Sequence, residues 1–238
     1  MLSLRKSGGI AALILASTYV TGFFLFAVVI DSTGYQGPVG KIRFLADNLH
    51  IMNFTMLLLY IVSGIALVVL GLALHDRLRP HAGPGLQVAS AFAMIWSTIL
   101  LSSGMIALSG IAYVIKLAAT EPVMAATVWA AISVVQDALG GGSEVVGGVW
   151  VLLMSVFAMS TRQLPRALSL LGIIIGLTGI LSILPLLSDL VDVFGLGQIV
   201  WFAWVGVVLL RNTRASEDIS RDRNQTDNRL GFDLKGAI

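Results

Sequence analysis

Uncharged apolar runs of about 20 residues recur along this chain and constrain its fold more than any other feature. Lys, Arg, Asp and Glu gather in short clusters between these runs. A helix rises about 1.5 Å per residue, so roughly 20 residues cross the 30 Å hydrocarbon core of a bilayer. The runs also lack the alternation of apolar and polar residues that marks a membrane β-strand. The sequence therefore predicts an all-α integral membrane helical bundle.

The composition agrees with a membrane protein. Hydrophobic residues make up 57% of the chain, charged residues 12%, and the mean hydropathy is +0.91. A soluble domain carries about 25% charged residues, because polar groups must cover its surface. The net charge is only +2, and the cations flank apolar runs, so we expect membrane topology rather than nucleic-acid binding to explain them. The absence of cysteine excludes disulfides, thiolate metal sites and cysteine nucleophiles.

Six transmembrane helices are predicted. Arg5 and Lys6 precede the first apolar run, a pattern that signal peptides share. This run of about 23 residues exceeds a signal-peptide core, and no small-residue cleavage site precedes Asp31, so we expect a retained first span. The predicted spans are residues 8–30, 51–74, 87–115, a fourth that ends near 159, 167–187 and 191–210.

The distribution of cations predicts that both termini are cytoplasmic. With six spans, one side receives eight cations, which are Arg5, Lys6, Arg77, Arg79, Arg162, Arg166, Arg211 and Arg214. The opposite side receives three, which are Lys41, Arg43 and Lys116. Short cytoplasmic loops carry the excess of Lys and Arg. We therefore expect a multi-pass membrane protein with residues 1–210 as its transmembrane domain and residues 211–238, which alternate in charge, as a polar cytoplasmic tail.

The fourth apolar segment is irregular. Residues 122–160 are too long for one simple span, and three glycines interrupt them at 140–142. Consecutive glycines cost about 1 kcal/mol each in a helix. In the favoured interpretation, residues 122–139 form a separate outer helix or a partial re-entrant turn before a crossing at 143–160. In the other, a single long helix projects beyond the outer surface.

Charged and polar groups near the membrane define a candidate site, because such groups are costly in hydrocarbon. An outward-opening polar recess is predicted from Glu144, Lys116, His50, Asn53 and Asp137. Counting residues outward from the cytoplasmic ends places His50, Lys116 and Asp137 in the outer headgroup layer, and only Glu144 and Asn53 near the hydrocarbon boundary. The alternative is therefore a solvated rim that binds nothing.

Metal, cofactor and catalytic motifs are not predicted. His50 belongs to the outer end of its span, whereas His75 and His81 follow the inner end, so they cannot share a haem. The sequence holds no HExxH zinc motif and no GxSxG nucleophile elbow. We therefore expect no cofactor, no metal and no catalytic residue.

Small residues predict close helix packing in the fifth span. Gly172 and Gly176 form a GxxxG motif that Gly179 continues, and such stripes let helix backbones approach. We expect them to pack within the chain rather than to form a dimer. In the sixth span, Trp201 and Trp204 are too deep for an interfacial belt, so we expect them to fill space between helices.

The second half of the chain resembles an uncharacterised bacterial membrane family, the domain of unknown function 4386. The segments that carry the resemblance are GLGQIVWFAWVG at 195–206 with LLR at 209–211, GGVWVLL at 147–153 and LPR at 164–166. The resemblance covers residues 144–211, whereas the first half is similar only as apolar spans. It implies a compact polytopic architecture of this length and brings no activity with it.

Taken together, these patterns predict a non-enzymatic accessory, sensory or ligand-binding membrane protein. Its expected partners are the lipid bilayer and either a membrane protein or a small hydrophobic ligand, with no nucleic acid. A small-molecule transporter or channel is the first alternative, which the break at 140–142 favours and the lack of midplane charges disfavours. An intramembrane lipid-modifying enzyme is the second alternative, although no acid–base or metal set supports it.

Overall fold

A computed structural model describes residues 3–141 and 144–211, and within these ranges every regular element is helical. The helices are α1 (Leu4–Phe24, extended by π-helical Leu25–Val29), α2 (Gly37–Asp47), α3 (Leu49–Met56, π-helical Leu57–Val62 and Ser63–Leu78), α4 (Gly85–Ala118), α5 (Pro122–Gln136, followed by π-helical Asp137–Gly141), α6 (Glu144–Thr161), α7 (Arg166–Leu181) and α8 (Leu190–Arg211). The predicted all-α architecture is confirmed in this part of the chain.

Five helical stretches of the described residues are long and apolar enough to cross a membrane. They are Leu4–Val29, Leu49–Leu78, Gly85–Ala118, Pro122–Thr161 and Leu190–Arg211. The sixth apolar helix, α7, has 16 residues and is therefore roughly 24 Å long. It ends at Leu181 instead of the predicted 187, and a turn leads into a short 3-10 helix at Pro185–Leu187. The ring of Pro185 disfavours a helical conformation in the preceding residue, and Leu184 is accordingly extended.

Six helices form a ring in the order α1, α3, α4, α6, α7 and α8. Hydroxyl groups join neighbouring helices inside it: the Oγ1 of Thr18 and the Oγ of Ser63 are 2.8 Å apart, and Ser97 Oγ donates to the carbonyl of Gly64 at 2.7 Å. Such hydrogen bonds hold helices together where the hydrophobic effect cannot, because the surrounding lipid is as apolar as the side chains.

One end of the ring, which we call the basic end, collects the cationic helix ends. Gly8 of α1 lies against Ala73 of α3, and Gly9 lies against Gly206 of α8. Arg77 donates from Nε and from its terminal nitrogen to the Gln163 carbonyl, at 3.1 and 2.6 Å, and so ties α3 to the turn before α7. The described cations at this end are Arg5, Lys6, Arg77, Arg79, Arg162, Arg166 and Arg211. Of the predicted tail at 211–238, residues 212–238, which include Arg214, are outside the described residues.

The irregular fourth segment follows α4 along its whole length. The pairs that mark this antiparallel register are Gly85 with Phe157, Trp96 with Trp150, Ser103 with Gln136 and Gly110 with Ile132. The register holds on both sides of residues 142–143, which are not described. The shared register keeps Pro122–Gly141 and Glu144–Thr161 against the same helix, and the separate outer helix at 122–139 stays a prediction.

A second apolar core lies at the end opposite the basic end, which we call the far end. It joins α2, the start of α3, the last turns of α4 and the start of α5, and its buried members are Ile42, Leu45, Met52, Met56, Ala107, Ile111, Val114, Ala125 and Ala126. The predicted spans left residues 31–50 unassigned, and the structure has the amphipathic helix α2 there. With 34 residues, α4 is roughly 51 Å long, so it packs both in the ring and in this second core. We call the second core together with α2 the outer layer.

The core of the ring is aromatic, and glycines allow the helices around it to pack closely. Trp96, Trp150, Trp201 and Phe202 are buried and contact one another, with ring centroids 5.5–6.5 Å apart. The glycine stripe of α7 lies inward: Gly172 faces Ser155 and Trp201, Gly176 faces Gly148, and Gly179 faces the Glu144 carbonyl and Phe194. Trp201 fills space between helices as expected, whereas Trp204 is 38% exposed and faces outward.

Candidate ligand pocket

A pocket of about 550 Å³ opens between α1 and α8 near the far end of the ring. Its size is typical of small-molecule sites, which span about 300–1,000 Å³. The residues that line it are Tyr19, Gly22, Phe23, Phe26, Leu59, Tyr60, Trp96, Leu100, Glu144, Val191, Asp192, Phe194, Gly195, Leu196 and Ile199. A smaller apolar groove between α1 and α3, of about 320 Å³, holds no ionisable side chain among its lining residues.

The buried side of the pocket is built on the aromatic core. Trp96 and Phe194 are 1% and 3% exposed, and their ring centroids are 6.3 Å apart. Tyr19 packs edge-on against Phe202 at 5.9 Å. Because these rings interlock with the centre of the bundle, the inner wall is rigid and apolar. The rim is open, with Phe23 63% exposed on α1.

Two π-helical segments line the pocket. Leu25–Val29 contributes Phe26, and Leu57–Val62 contributes Leu59 and Tyr60. A third, Asp137–Gly141, lies shortly before Glu144 in the sequence and contributes no lining residue. A π-helical turn adds a residue to the α-helical ladder, at a cost that is seldom accepted except at functional sites. Their meeting at one cavity marks this level of the bundle as specialised.

Glu144 supplies the carboxylate of the pocket. It is the first described residue of α6 and is half-buried. Its backbone is held by α7, because the Glu144 carbonyl oxygen is 2.7 Å from where a Cβ on Gly179 would stand. The one ion pair within residues 3–141 and 144–211 is Arg43 with Asp47, at 4.0 Å, so Glu144 has no cationic partner there. A half-buried carboxylate without a counter-ion is expected to attract a cation.

Tyr60 links the pocket to the outer layer. Its hydroxyl accepts a hydrogen bond from Gln136 Nε2 at 3.4 Å, and the backbone carbonyl of Gln136 accepts one from Ser103 at 3.3 Å. Gln136 is the last residue of α5 before its π-helical turn. These hydrogen bonds therefore connect the pocket wall directly to the hairpin of α4 and α5.

Of the five residues in the predicted recess, only Glu144 lines this pocket. His50, Lys116 and Asp137 are exposed, and Asn53 is half-buried with its Oδ1 lacking a hydrogen-bond partner. The pocket therefore brings Glu144 together with residues other than His50, Lys116, Asn53 and Asp137, and a recess formed by all five stays a prediction.

The sequence interpretation missed Tyr19, Tyr60 and Asp192. Tyrosine in the middle of an apolar span is itself a signal, since its hydroxyl needs a polar partner when buried. Asp192 falls at the start of the predicted sixth span, 191–210, and the structure places it in the first turn of α8 at the pocket rim. The proximity of α1 to α8 depends on contacts between residues that are far apart in the sequence, so no local pattern predicts it.

A second polar feature is enclosed among α6, α7 and α8. Gln198 is fully buried and neither atom of its amide has a hydrogen-bond partner. Other buried polar atoms without a partner nearby are Trp150 Nε1, Ser155 Oγ, Ser169 Oγ and Trp201 Nε1. Ser155 and Trp201 both border the space beside Gly172. Buried polar groups are nearly always hydrogen-bonded, so each orphan here is costly.

Histidine and carboxylate side chains are dispersed in the described part of the chain. They form no group of three or more that could hold a metal ion there, and His75 bonds Ser90 through Nδ1 at 2.6 Å. Comparison with known proteins gives no matching family model, no matching curated protein and no matching solved structure.

Proposed function

We propose that this chain is a ligand-binding protein of the bacterial inner membrane, with a non-enzymatic sensory or accessory role. It binds a small, largely hydrophobic molecule with one polar group in the pocket beside Glu144. The observation that carries this proposal is a half-buried carboxylate, without a cationic partner among the described residues, in the wall of a 550 Å³ aromatic cavity. The relationship to the domain of unknown function 4386 belongs to the same proposal.

The proposed topology has six crossings and cytoplasmic termini. It is supported by the grouping of the basic residues at one end of the ring, since short cytoplasmic loops collect Lys and Arg. The short helix α7 serves as the fifth crossing, with the turn at Pro185–Leu187 reaching the surface. The far end, with α2 and the outer core, then lies on the periplasmic side.

This orientation places the pocket in the outer half of the membrane. Glu144 begins the 18-residue helix α6, so it lies roughly 27 Å along the helix axis from the basic end. Asp192 at the rim belongs to the first turn of α8. A ligand can therefore enter from the periplasmic surface past Asp192, or sideways from lipid between α1 and α8.

Transport is the second candidate function, and the π-helical segments favour it. Interrupted helices are common where transporters hold their substrates. Transport also requires a path to the basic end. The pocket lining reaches only Trp96 and Leu100 of α4, about 17–22 Å from its start by helical rise.

The test is a variant that fills the pocket. Gly195 lines it, and a Cβ placed there meets no atom within 4 Å, so Gly195→Phe fills the cavity without disturbing the helices. In a thermal-shift screen of cationic, neutral and anionic amphiphiles on the purified full chain, we expect compounds that stabilise the unmodified chain but not Gly195→Phe.

The matched control is Gly83→Phe, which also meets open space but lies in the loop at the basic end. It is expected to respond to every compound as the unmodified chain does. The proposal fails if all stabilising compounds act equally on the unmodified chain and on Gly195→Phe.

A further inference from the structure

We infer that the ligand of the Glu144 pocket is an organic cation with an apolar body, such as a quaternary ammonium or phosphonium compound. The inference rests on the proposed function and adds the chemical class of the ligand. It depends on three features of the pocket, which are its charge, its aromatic walls and its size.

The pocket carries only negative charge. Glu144 and Asp192 are the charged residues that line it, and its lining set contains no Lys, Arg or His. In a medium of low dielectric constant, an uncompensated carboxylate attracts a counter-ion far more strongly than it does in water. A cation bound beside Glu144 supplies the partner that the described residues do not, whereas an anion would meet repulsion from both carboxylates.

Aromatic side chains form much of the remaining wall. They are Tyr19, Phe23, Phe26, Tyr60, Trp96 and Phe194. The face of an aromatic ring attracts a cation within about 6 Å, and cages of such rings recognise quaternary ammonium groups. The contribution rises from about 0.5–1 kcal/mol at exposed sites to about 2 kcal/mol when the cation is desolvated. Rings beside a carboxylate therefore select for a large, weakly hydrated positive charge.

The size and the apolar walls of the pocket favour an organic cation over an inorganic ion. A calcium ion takes six to eight oxygen ligands at 2.3–2.6 Å, whereas Glu144 and Asp192 are the only carboxylates among the lining residues. A cavity of about 550 Å³ with predominantly apolar walls instead fits the body of a drug-sized molecule. The ligand thus combines one positive charge with bulky hydrocarbon or aromatic groups.

Two probes of equal shape and opposite charge test this inference. Tetraphenylphosphonium and tetraphenylborate are measured by equilibrium dialysis against the full chain in nanodiscs, with the signal of empty nanodiscs subtracted. We expect saturable binding of tetraphenylphosphonium and none of tetraphenylborate. Glu144→Gln keeps the shape of the side chain and removes its charge, and we expect it to weaken tetraphenylphosphonium binding at least tenfold.

Glu121→Gln is the matched control, because it makes the same chemical change at an exposed residue before α5. It is expected to bind tetraphenylphosphonium as the unmodified chain does. Phe23→Leu removes a ring from the exposed rim, where folding does not depend on it. We expect it to weaken tetraphenylphosphonium binding three- to tenfold, which keeps the inference testable if Glu144→Gln fails to fold.

The outcomes separate the two proposals. Equal tetraphenylphosphonium affinity in the unmodified chain, Glu144→Gln and Phe23→Leu would overturn the cation inference. Saturable binding of tetraphenylborate that Gly195→Phe abolishes would also overturn it, while leaving the pocket as a ligand site. If Gly195→Phe leaves the binding of every probe and every screened compound unchanged, both the proposed ligand pocket and the cation inference are contradicted.

Discussion

Gly148 of α6 and Gly176 of α7 lie backbone to backbone. The carbonyl oxygen of each is 2.7 Å from the position where a Cβ on the other would stand. Real Cβ atoms essentially never come so close to another heavy atom. The two helices can therefore pack at this distance only if both positions are glycine. One turn further along α7, Gly179 faces the carbonyl of Glu144. This contact therefore sets the position of the carboxylate that the pocket uses.

Gly176→Ala is expected to destabilise the protein by about 1–3 kcal/mol, because the added methyl group must push α6 and α7 apart. The measurement is thermal unfolding of the purified chain in detergent. Gly195→Ala is the control, since its Cβ meets open space and alanine favours the helix. Equal unfolding temperatures for the two variants would show that α6 and α7 are not in contact at Gly176.

Gln198→Met is expected to stabilise the protein by about 1–3 kcal/mol, because it removes a buried amide without a hydrogen-bond partner and keeps a similar shape. The control is Gln87→Met in α4, where the side chain is exposed and no change is expected. Thermal unfolding measures both. A loss of stability in Gln198→Met would mean that the amide has a partner, such as bound water, among α6, α7 and α8.

The outer layer can be tested through the pH dependence of Tyr35. The Tyr35 hydroxyl donates to Asp47 Oδ2 at 3.0 Å, and this hydrogen bond raises the pKa of Tyr35 above its ordinary value. The bond is therefore fully present below the ordinary pKa of tyrosine and is lost as pH rises through the raised one. In Asp47→Ala we expect the pKa of Tyr35 to fall towards its ordinary value.

The measurement for Tyr35 is ultraviolet absorbance of the phenolate against pH, taken as the difference from Tyr35→Phe. Asp31→Ala is the control, because its carboxylate accepts from the backbone of Thr33 and not from Tyr35. A Tyr35 titration that Asp47→Ala leaves unchanged would show that α2 does not hold these two side chains together.

Hydropathy was sufficient to locate the membrane helices but not the outer layer. Leu49–Leu78 and Leu190–Arg211 stand out because an apolar run of that length has few stable alternatives to a spanning helix. Helix α2 mixes Lys41, Arg43 and Asp47 with the inward-facing Ile42 and Leu45, so its average hydropathy is that of a loop. Only the spacing of Ile42 and Leu45, which fits one face of a helix, indicates that this segment is helical.

Glu144 was the one residue of the candidate site that the sequence predicted. Glu144 was identified because a carboxylate beside apolar residues needs an explanation. His50 and Lys116 do not line the pocket with Glu144, because α3 and α4 extend into the second core, which a count of depth along single helices does not include. Tyr19 and Asp192 reach Glu144 only through the packing of α1 beside α8.

Access to the Glu144 pocket from the face opposite the basic end tests the central claim most directly. The chain contains no cysteine, so single substitutions report individual positions to a membrane-impermeant maleimide in intact cells. Ser32→Cys, between α1 and α2, and Gly83→Cys, in the loop at the basic end, provide the external and internal references. Gly195→Cys reports the pocket itself.

We predict that Ser32→Cys and Gly195→Cys are labelled in intact cells, that Gly83→Cys is labelled only after permeabilisation, and that tetraphenylphosphonium slows the labelling of Gly195→Cys alone. Labelling of Gly83→Cys in intact cells, with Ser32→Cys and Gly195→Cys protected until the membrane is opened, would contradict the account.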